Sequence, residues 1–172
     1  LKGVLIIALK KYEDERGYFL DSYNQQELAK YNIPSFVQQS QSFSKKGVIR
    51  GLHFRKPPHT QAKLVRVMKG TILDVIVDLR KSSPTFGKHL AIELSESDFR
   101  QIFIPEGFAH GFSVLSENAI VSYHLDKYYN PLLECRIRYN DPELAINWKV
   151  DNPLISDKDK RLPLLKEIKN DL

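Results

Sequence analysis

Apolar and polar residues alternate along most of the chain in short runs, separated by Gly, Pro, Asn, Asp and Ser. A period of two is the mark of half-buried strands. The pattern predicts strands at Val4–Leu9, Tyr18–Tyr23, Phe36–Phe43, Gly47–Phe54, Lys63–Lys69 and Thr71–Leu79. Four more follow at His89–Leu94, Gln101–Ile104, Gly111–Leu115 and Ala119–Leu125. Tyr12–Gly17 reads as a charged turn. Asn24-Gln25-Gln26-Glu27 has the spacing of a capping box and opens a short helix to about Tyr31, which Pro34 ends. Residues 126–153 mix turns with short extended pieces, and the charged tail from Ser156 carries one or two short helices. Many short strands at regular spacing predict an all-β fold, a jelly-roll barrel or sandwich with a few short peripheral helices.

Residues 47–80 interrupt this ordinary picture. Arg50, His53, Lys63, Arg66, Asp74 and Asp78 lie inside strands that are otherwise rich in Val, Ile and Leu. Strict alternation puts Arg50 with Leu52 and Phe54 on one face, and His53 with Gly51 on the other. A single charge in such a strand marks a wet face of the sheet. Six ionisable groups in three neighbouring strands point instead to a sheet curled around a polar pocket.

Composition narrows the class. At 172 residues, 42% hydrophobic and 27% charged, the chain is expected to form one globular domain over residues 1–172. Cys135 is the only cysteine, so no intrachain disulfide forms, which fits a reducing, cytoplasmic setting. The first apolar run, Val4–Leu9, is too short to span a bilayer. The net charge of +5 is spread along the chain without a basic block or a nucleic-acid module. A solvated surface accounts for most of that excess, which leaves a few residues for an anionic ligand.

Pro105-Glu-Gly-Phe-Ala-His110 has the P-x-G-x-x-H spacing of the second motif of cupin barrels. In metal-binding cupins this His is a ligand. The first cupin motif supplies two more His and a Glu, and counting back from Gly70 those positions hold Pro57, His59 and Lys63. A lysine is a cation at neutral pH and ligates only after losing its proton, so no metal or other cofactor is expected. A Lys and an Arg facing a cavity hold an oxyanion instead. A His fixed by a carboxylate serves as general base, and a buried Tyr with cationic neighbours serves as general acid. Together these groups suit proton abstraction next to a carbonyl.

At these residues the chain resembles the dTDP-4-dehydrorhamnose 3,5-epimerases. The matching text includes Asp14-Glu-Arg-Gly17, Gly47-Val-Ile-Arg-Gly-Leu-His53, Gln61-Ala-Lys-Leu-Val-Arg66, Asp74-Val-Ile-Val-Asp-Leu-Arg80, Ser83-Pro-Thr-Phe-Gly87, Ile104–Phe112, Tyr128-Tyr-Asn-Pro131 and Ile155–Asp159. The resemblance implies a cofactor-independent isomerase acting on a dTDP-linked 4-keto-6-deoxyhexose through an enolate. It implies His53 as the base, Asp159 as its dyad partner, Tyr123 as the acid on the opposite face, and Lys63 with Arg50 steadying the oxygen at carbon 4. His110 would line the sugar site. Arg16, Asp21, Gln38, Gln39, Ser40, Tyr129, Glu134 and Lys158 would serve the nucleotide, with Tyr129 stacked on thymine. The family also implies a homodimer of jelly rolls in which the N-terminal segment carrying Arg16 passes to the partner subunit.

The chain departs from the family pattern in three places. Gln38-Gln39-Ser40 stands for Gln-Asp-Asn, Asp21 for Glu, and His124 follows Tyr123 where Lys is usual. Alternatives are a single-site epimerase, a metal-dependent cupin and a non-catalytic sugar-binding jelly roll. The joint presence of His53, Lys63, Tyr123 and Asp159 argues against the last, because binding alone needs no acid and base together.

Overall fold

The computed structural model describes residues 1–172 and is built almost entirely of antiparallel strands. In chain order they are β1 (Leu5–Ala8), β2 (Lys11–Asp14), β3 (Gly17–Leu20), β4 (Gln38–Lys45), β5 (Ile49–Arg55), β6 (Lys63–Lys69), β7 (Thr71–Asp78), β8 (His89–Ser95), β9 (Arg100–Ile104), β10 (Phe108–Val114), β11 (Asn118–Leu125) and β12 (Glu134–Arg136). Three short helices accompany them, α1 (Gln25–Ala29), α2 (Asp157–Lys160) and α3 (Leu165–Ile168), and a 3-10 turn covers Lys169–Asp171. One five-stranded sheet has the order β1-β9-β6-β11-β4, and the second has β12-β5-β10-β7-β8. Strands adjacent in sequence repeatedly fall in different sheets, as the jelly roll requires.

Three apolar layers fix this arrangement. Val65, Val67, Ile72, Ile76, Ile102, Ile104, Phe112 and Val121 project between the sheets and fill the closed part of the barrel. On the outer side of the second sheet, Leu52, Phe54, Leu73, Val75 and Val77 meet Ile137, Leu144, Trp148 and Leu165. The long C-terminal segment therefore covers that sheet, and this explains why β10 and all of β7 after Thr71 are buried and carry mostly apolar residues on both faces. Each fully buried Leu or Ile contributes about 1.5–3 kcal/mol. The outer side of the first sheet is only part covered, by Leu28 and Ile33 of the α1 region against Leu64 and Phe103.

Two expectations change here. Tyr12–Gly17 is not a turn alone: β2 and β3 form a separate two-stranded hairpin, paired from Lys11↔Leu20 to Asp14↔Gly17, with Glu15 and Arg16 at its tip. The charged residues hid it, because a strand with both faces in solvent shows no alternation. The second correction concerns β5. His53 lies opposite His110 on β10, but Arg50 lies opposite Phe112, so β5 spends three residues where β10 spends two. This bulge reverses the face parity after Gly51. Gly51 and Gly111 are required for it: a Cβ on Gly51 would meet the Gly111 Cα at 2.5 Å, and one on Gly111 would meet the Arg50 carbonyl oxygen at 2.7 Å. Arg50 and His53 consequently face the same cavity, against simple alternation.

Candidate active site

At the open end the two sheets enclose a cavity of about 360 Å³, and its walls carry side chains from both. Arg50 and His53 come from β5, His110 from β10 and Glu134 from β12. Facing them are Gln38 and Ser40 of β4, Lys63 of β6 and Tyr123 of β11, with Gln61 and Tyr129 from loops. Lys63 pairs with Leu125, and Val65 with Tyr123, so the ammonium and the phenol are diagonal neighbours on one face. The imidazole of His53 and the phenol of Tyr123 thus enter one cavity from opposite sheets.

His53 sits between two carboxylates. Its Nδ1 is 3.6 Å from Glu134 Oε1 and its Nε2 is 3.7 Å from Asp159 Oδ1. These separations are electrostatic contacts rather than full hydrogen bonds. Ser156, the N-cap of α2, donates its hydroxyl to Asp159 Oδ2 at 2.8 Å and accepts the Asp159 amide, which fixes the carboxylate beside the ring. The neighbouring imidazole, helped by Ser156, holds the Asp159 carboxyl below its ordinary range. Glu134 is held by an ion pair with Arg136.

The other groups are tuned by burial. Desolvation brings Lys63 down to about 8, although Glu134 and Asp74 favour its charged form. The side chain keeps a partial opening onto the cavity, and its ammonium is cut off from bulk water by the walls. Desolvation raises the Tyr123 phenol, while Ser42 and the positive charge of Arg50 pull it back. Arg50 is aimed by its Nε hydrogen bond to Ser44 Oγ at 2.9 Å and by Nη2 to the Phe43 carbonyl at 3.2 Å. An oxyanion formed between Lys63 and Arg50 meets two cations in a partly dried site.

Sequence reasoning missed the partner of His110. Its Nε2 lies 2.7 Å from Asp74 Oδ1, and both side chains are buried, at 6% and 0% exposure. The signal was present, since Asp74 is an acid in the strand TILDVIVD, which is buried from Ile72 onward. Ser44, Gln61 and Arg136 were also missed, and nothing in their local pattern sets them apart. His59, the position of a cupin metal ligand, is exposed in the β5–β6 loop and does not line the cavity. No three His, Cys, Asp or Glu side chains converge as a metal-holding group.

Not every expected nucleotide residue is in the cavity. Gln38 and Ser40 line it, with Gln38 accepting the Tyr129 amide at 2.7 Å. Gln39 points to the outer face and donates to Ser122 Oγ at 2.9 Å. Arg16 sits at the hairpin tip bound to Asp14, and Asp21 lines a separate cleft beside α1. Lys158 lines an adjoining cavity on the far side of Glu134.

Comparison with known proteins decides the family. A family described as dTDP-4-dehydrorhamnose 3,5-epimerase matches residues 1–167. The chain belongs to the dTDP-4-dehydrorhamnose 3,5-epimerase family. The enzyme of that name from Shigella flexneri is 49% identical, over 92% of this chain and 89% of its own. The Bacillus anthracis enzyme, solved with TDP and PPi bound, is 47% identical with a TM-score of 0.92, covering 95% and 94% of the two chains. The Legionella pneumophila enzyme, in complex with dTDP-4-keto-L-rhamnose, has a TM-score of 0.94 at 43% identity, covering 99% and 92%. Membership makes the protein an isomerase of the epimerase type with the family's jelly-roll fold. No helix is long and apolar enough to cross a membrane.

Proposed function

We propose that the protein epimerises carbons 3 and 5 of dTDP-4-dehydro-6-deoxy-D-glucose, giving dTDP-4-dehydro-L-rhamnose. The carrying observation is that His53 and Tyr123 face one cavity from opposite sheets, with Lys63 beside the phenol. His53 removes the proton next to the 4-keto group, and the electron pair moves to the carbonyl oxygen as an enolate. Lys63 and Arg50 hold that oxygen's charge. Tyr123 returns a proton to the same carbon from the opposite side, and the two protein groups then exchange protons with solvent. Each cycle inverts one centre without redox change, and placement of acid and base carries the acceleration. Asp159 orients His53 and stabilises its protonated form. His110 borders the sugar, while Gln38, Ser40, Glu134 and Tyr129 lie where the nucleotide portion would continue.

The working form is a homodimer in this reading. Every residue of β2 and β3 except Leu20 is exposed, including Tyr12, Tyr18 and Phe19. A lone two-stranded hairpin is marginal in water, so this one needs a covering surface. A second copy supplies it, and Arg16 and Asp21 then serve the neighbouring site rather than their own.

The test is proton NMR of dTDP-4-keto-6-deoxyglucose in heavy water with the protein, without added metal. Deuterium should enter at both carbons, be abolished by His53→Ala and be at least reduced by Tyr123→Phe. Exchange at one carbon alone would indicate a single-site epimerase. Absence of exchange at any pH would leave only a binding protein.

A further inference from the structure

Outside the catalytic cavity, a second basin of about 420 Å³ opens between the β5–β6 loop, the end of β7 and the β9–β10 turn. Arg55, Lys56, Arg80 and Lys81 contribute cations to its wall, and Thr60 and Ser82 contribute hydroxyls. It shares no lining residue with the catalytic cavity. The charges are not balanced locally. Asp78 neutralises Arg80 through contacts of 2.9 and 2.6 Å, and Lys127 neutralises the rim residue Glu106. Arg55, Lys56 and Lys81 make no salt bridge: Glu134, which stands across from Arg55 on β12, is paired with Arg136 instead, and Lys81 donates only to the Asn170 carbonyl, at 2.9 Å.

Arg55 is the informative member. It is 7% exposed, yet the single hydrogen bond its guanidinium makes is to the Tyr128 carbonyl, at 2.9 Å. A guanidinium has five N–H donors in a planar fork, and a buried arginine ordinarily has an acid beside it. Burying the charge unpaired is costly. The fork matches the oxygens of a phosphate group, and the neighbouring lysines add point charges to it.

We propose that this basin is a second anion site that takes a phosphate-type oxyanion, held by the Arg55 fork with Lys56 and Lys81 closing over it. The proposal is independent of the reaction assigned to the other cavity. The two are nevertheless in electrical contact: Arg55 follows His53 by two residues on β5, and its charge weakens the hold of Lys63 on its proton. Neutralising Arg55 with an anion removes that repulsion and strengthens the ammonium at the catalytic wall.

Titration calorimetry with inorganic diphosphate and with inorganic phosphate tests the site, using the full chain, Arg50→Gln, and the double variant Lys56→Gln/Lys81→Gln. Both lysines lie at the surface side of the basin, and a thermal melt verifies that the double variant is folded. Diphosphate should bind the parent protein, bind Arg50→Gln with the same affinity, and bind the double variant about tenfold more weakly, equivalent to about 1.4 kcal/mol. Binding should weaken as salt rises. The idea is overturned if neither anion binds, if the double variant weakens binding by less than about threefold, or if Arg50→Gln abolishes it.

Discussion

Two histidines face each other across β5 and β10, and their surroundings differ. His110 is sealed in, tied at 2.7 Å to an acid with no exposure. His53 is 27% exposed at its side chain and stands between two carboxylates at 3.6 and 3.7 Å, close to both and locked by neither. A tight buried pair fixes a ring and builds a wall. A ring in loose contact with anions, open to a cavity, is free to take a proton and lose it again. In the proposed reaction it is the slack and the opening, rather than the nearness of an acid, that suit His53 rather than His110 to act as base.

The largest expected effect separates the two rings. His53→Ala should lower the turnover number by about 10²–10⁴-fold, the usual worth of a general base, while leaving urea unfolding within about 1 kcal/mol of the parent. His110→Ala should instead lose about 3 kcal/mol of stability, because Asp74 is left buried without its partner. Equal losses of stability in both variants would erase the distinction.

Next in size is Gly111→Ala, which forces a Cβ to within 2.7 Å of the Arg50 carbonyl oxygen. Overpacking there should cost about 1–3 kcal/mol and displace Arg50 and His53 together, seen as a fall in both stability and turnover. An unchanged melting temperature would show that the two backbones can part without loss.

The most modest effects come with pH. Lys63 titrates at about 8 in the folded protein, below its ordinary value of 10.5. Turnover should fall as pH rises through about 8, as the ammonium becomes an amine. Stability should move the other way. Between about pH 8 and 10.5 the unfolded chain binds more protons at this lysine than the folded one, so unfolding free energy rises, by on the order of 2 kcal/mol. Lys63→Met should remove both trends, read by a pH–rate profile and by urea melts at pH 7 and 10.

Most of the architecture was legible because the strands alternate. β6, β7 and β11 fall where the pattern puts them, and Lys63 and Tyr123 face the cavity as their parity requires. The failures have physical causes. Arg50 was assigned to the wrong face because a bulge of one residue is invisible to a period of two. β2 was missed because no face of it is buried. Asp74 was visible as an anomaly, but only the cross-strand register shows which base it serves. Arg16 and Asp21 carry the right motif yet do not line the cavity of their own chain, and no local pattern in the sequence encodes that placement.

The extra residue in β5 has an outcome for how such barrels change chemistry. An unbroken strand can offer a pocket only every second side chain, so a cation and an imidazole three positions apart would point away from each other. Slipping the strand by one position at Gly51 turns both into one cavity, and removing the slip would part them without altering either residue. In this barrel the side chains that face the cavity are selected by strand offset as much as by amino-acid identity, which gives designers a lever separate from substituting the polar groups themselves.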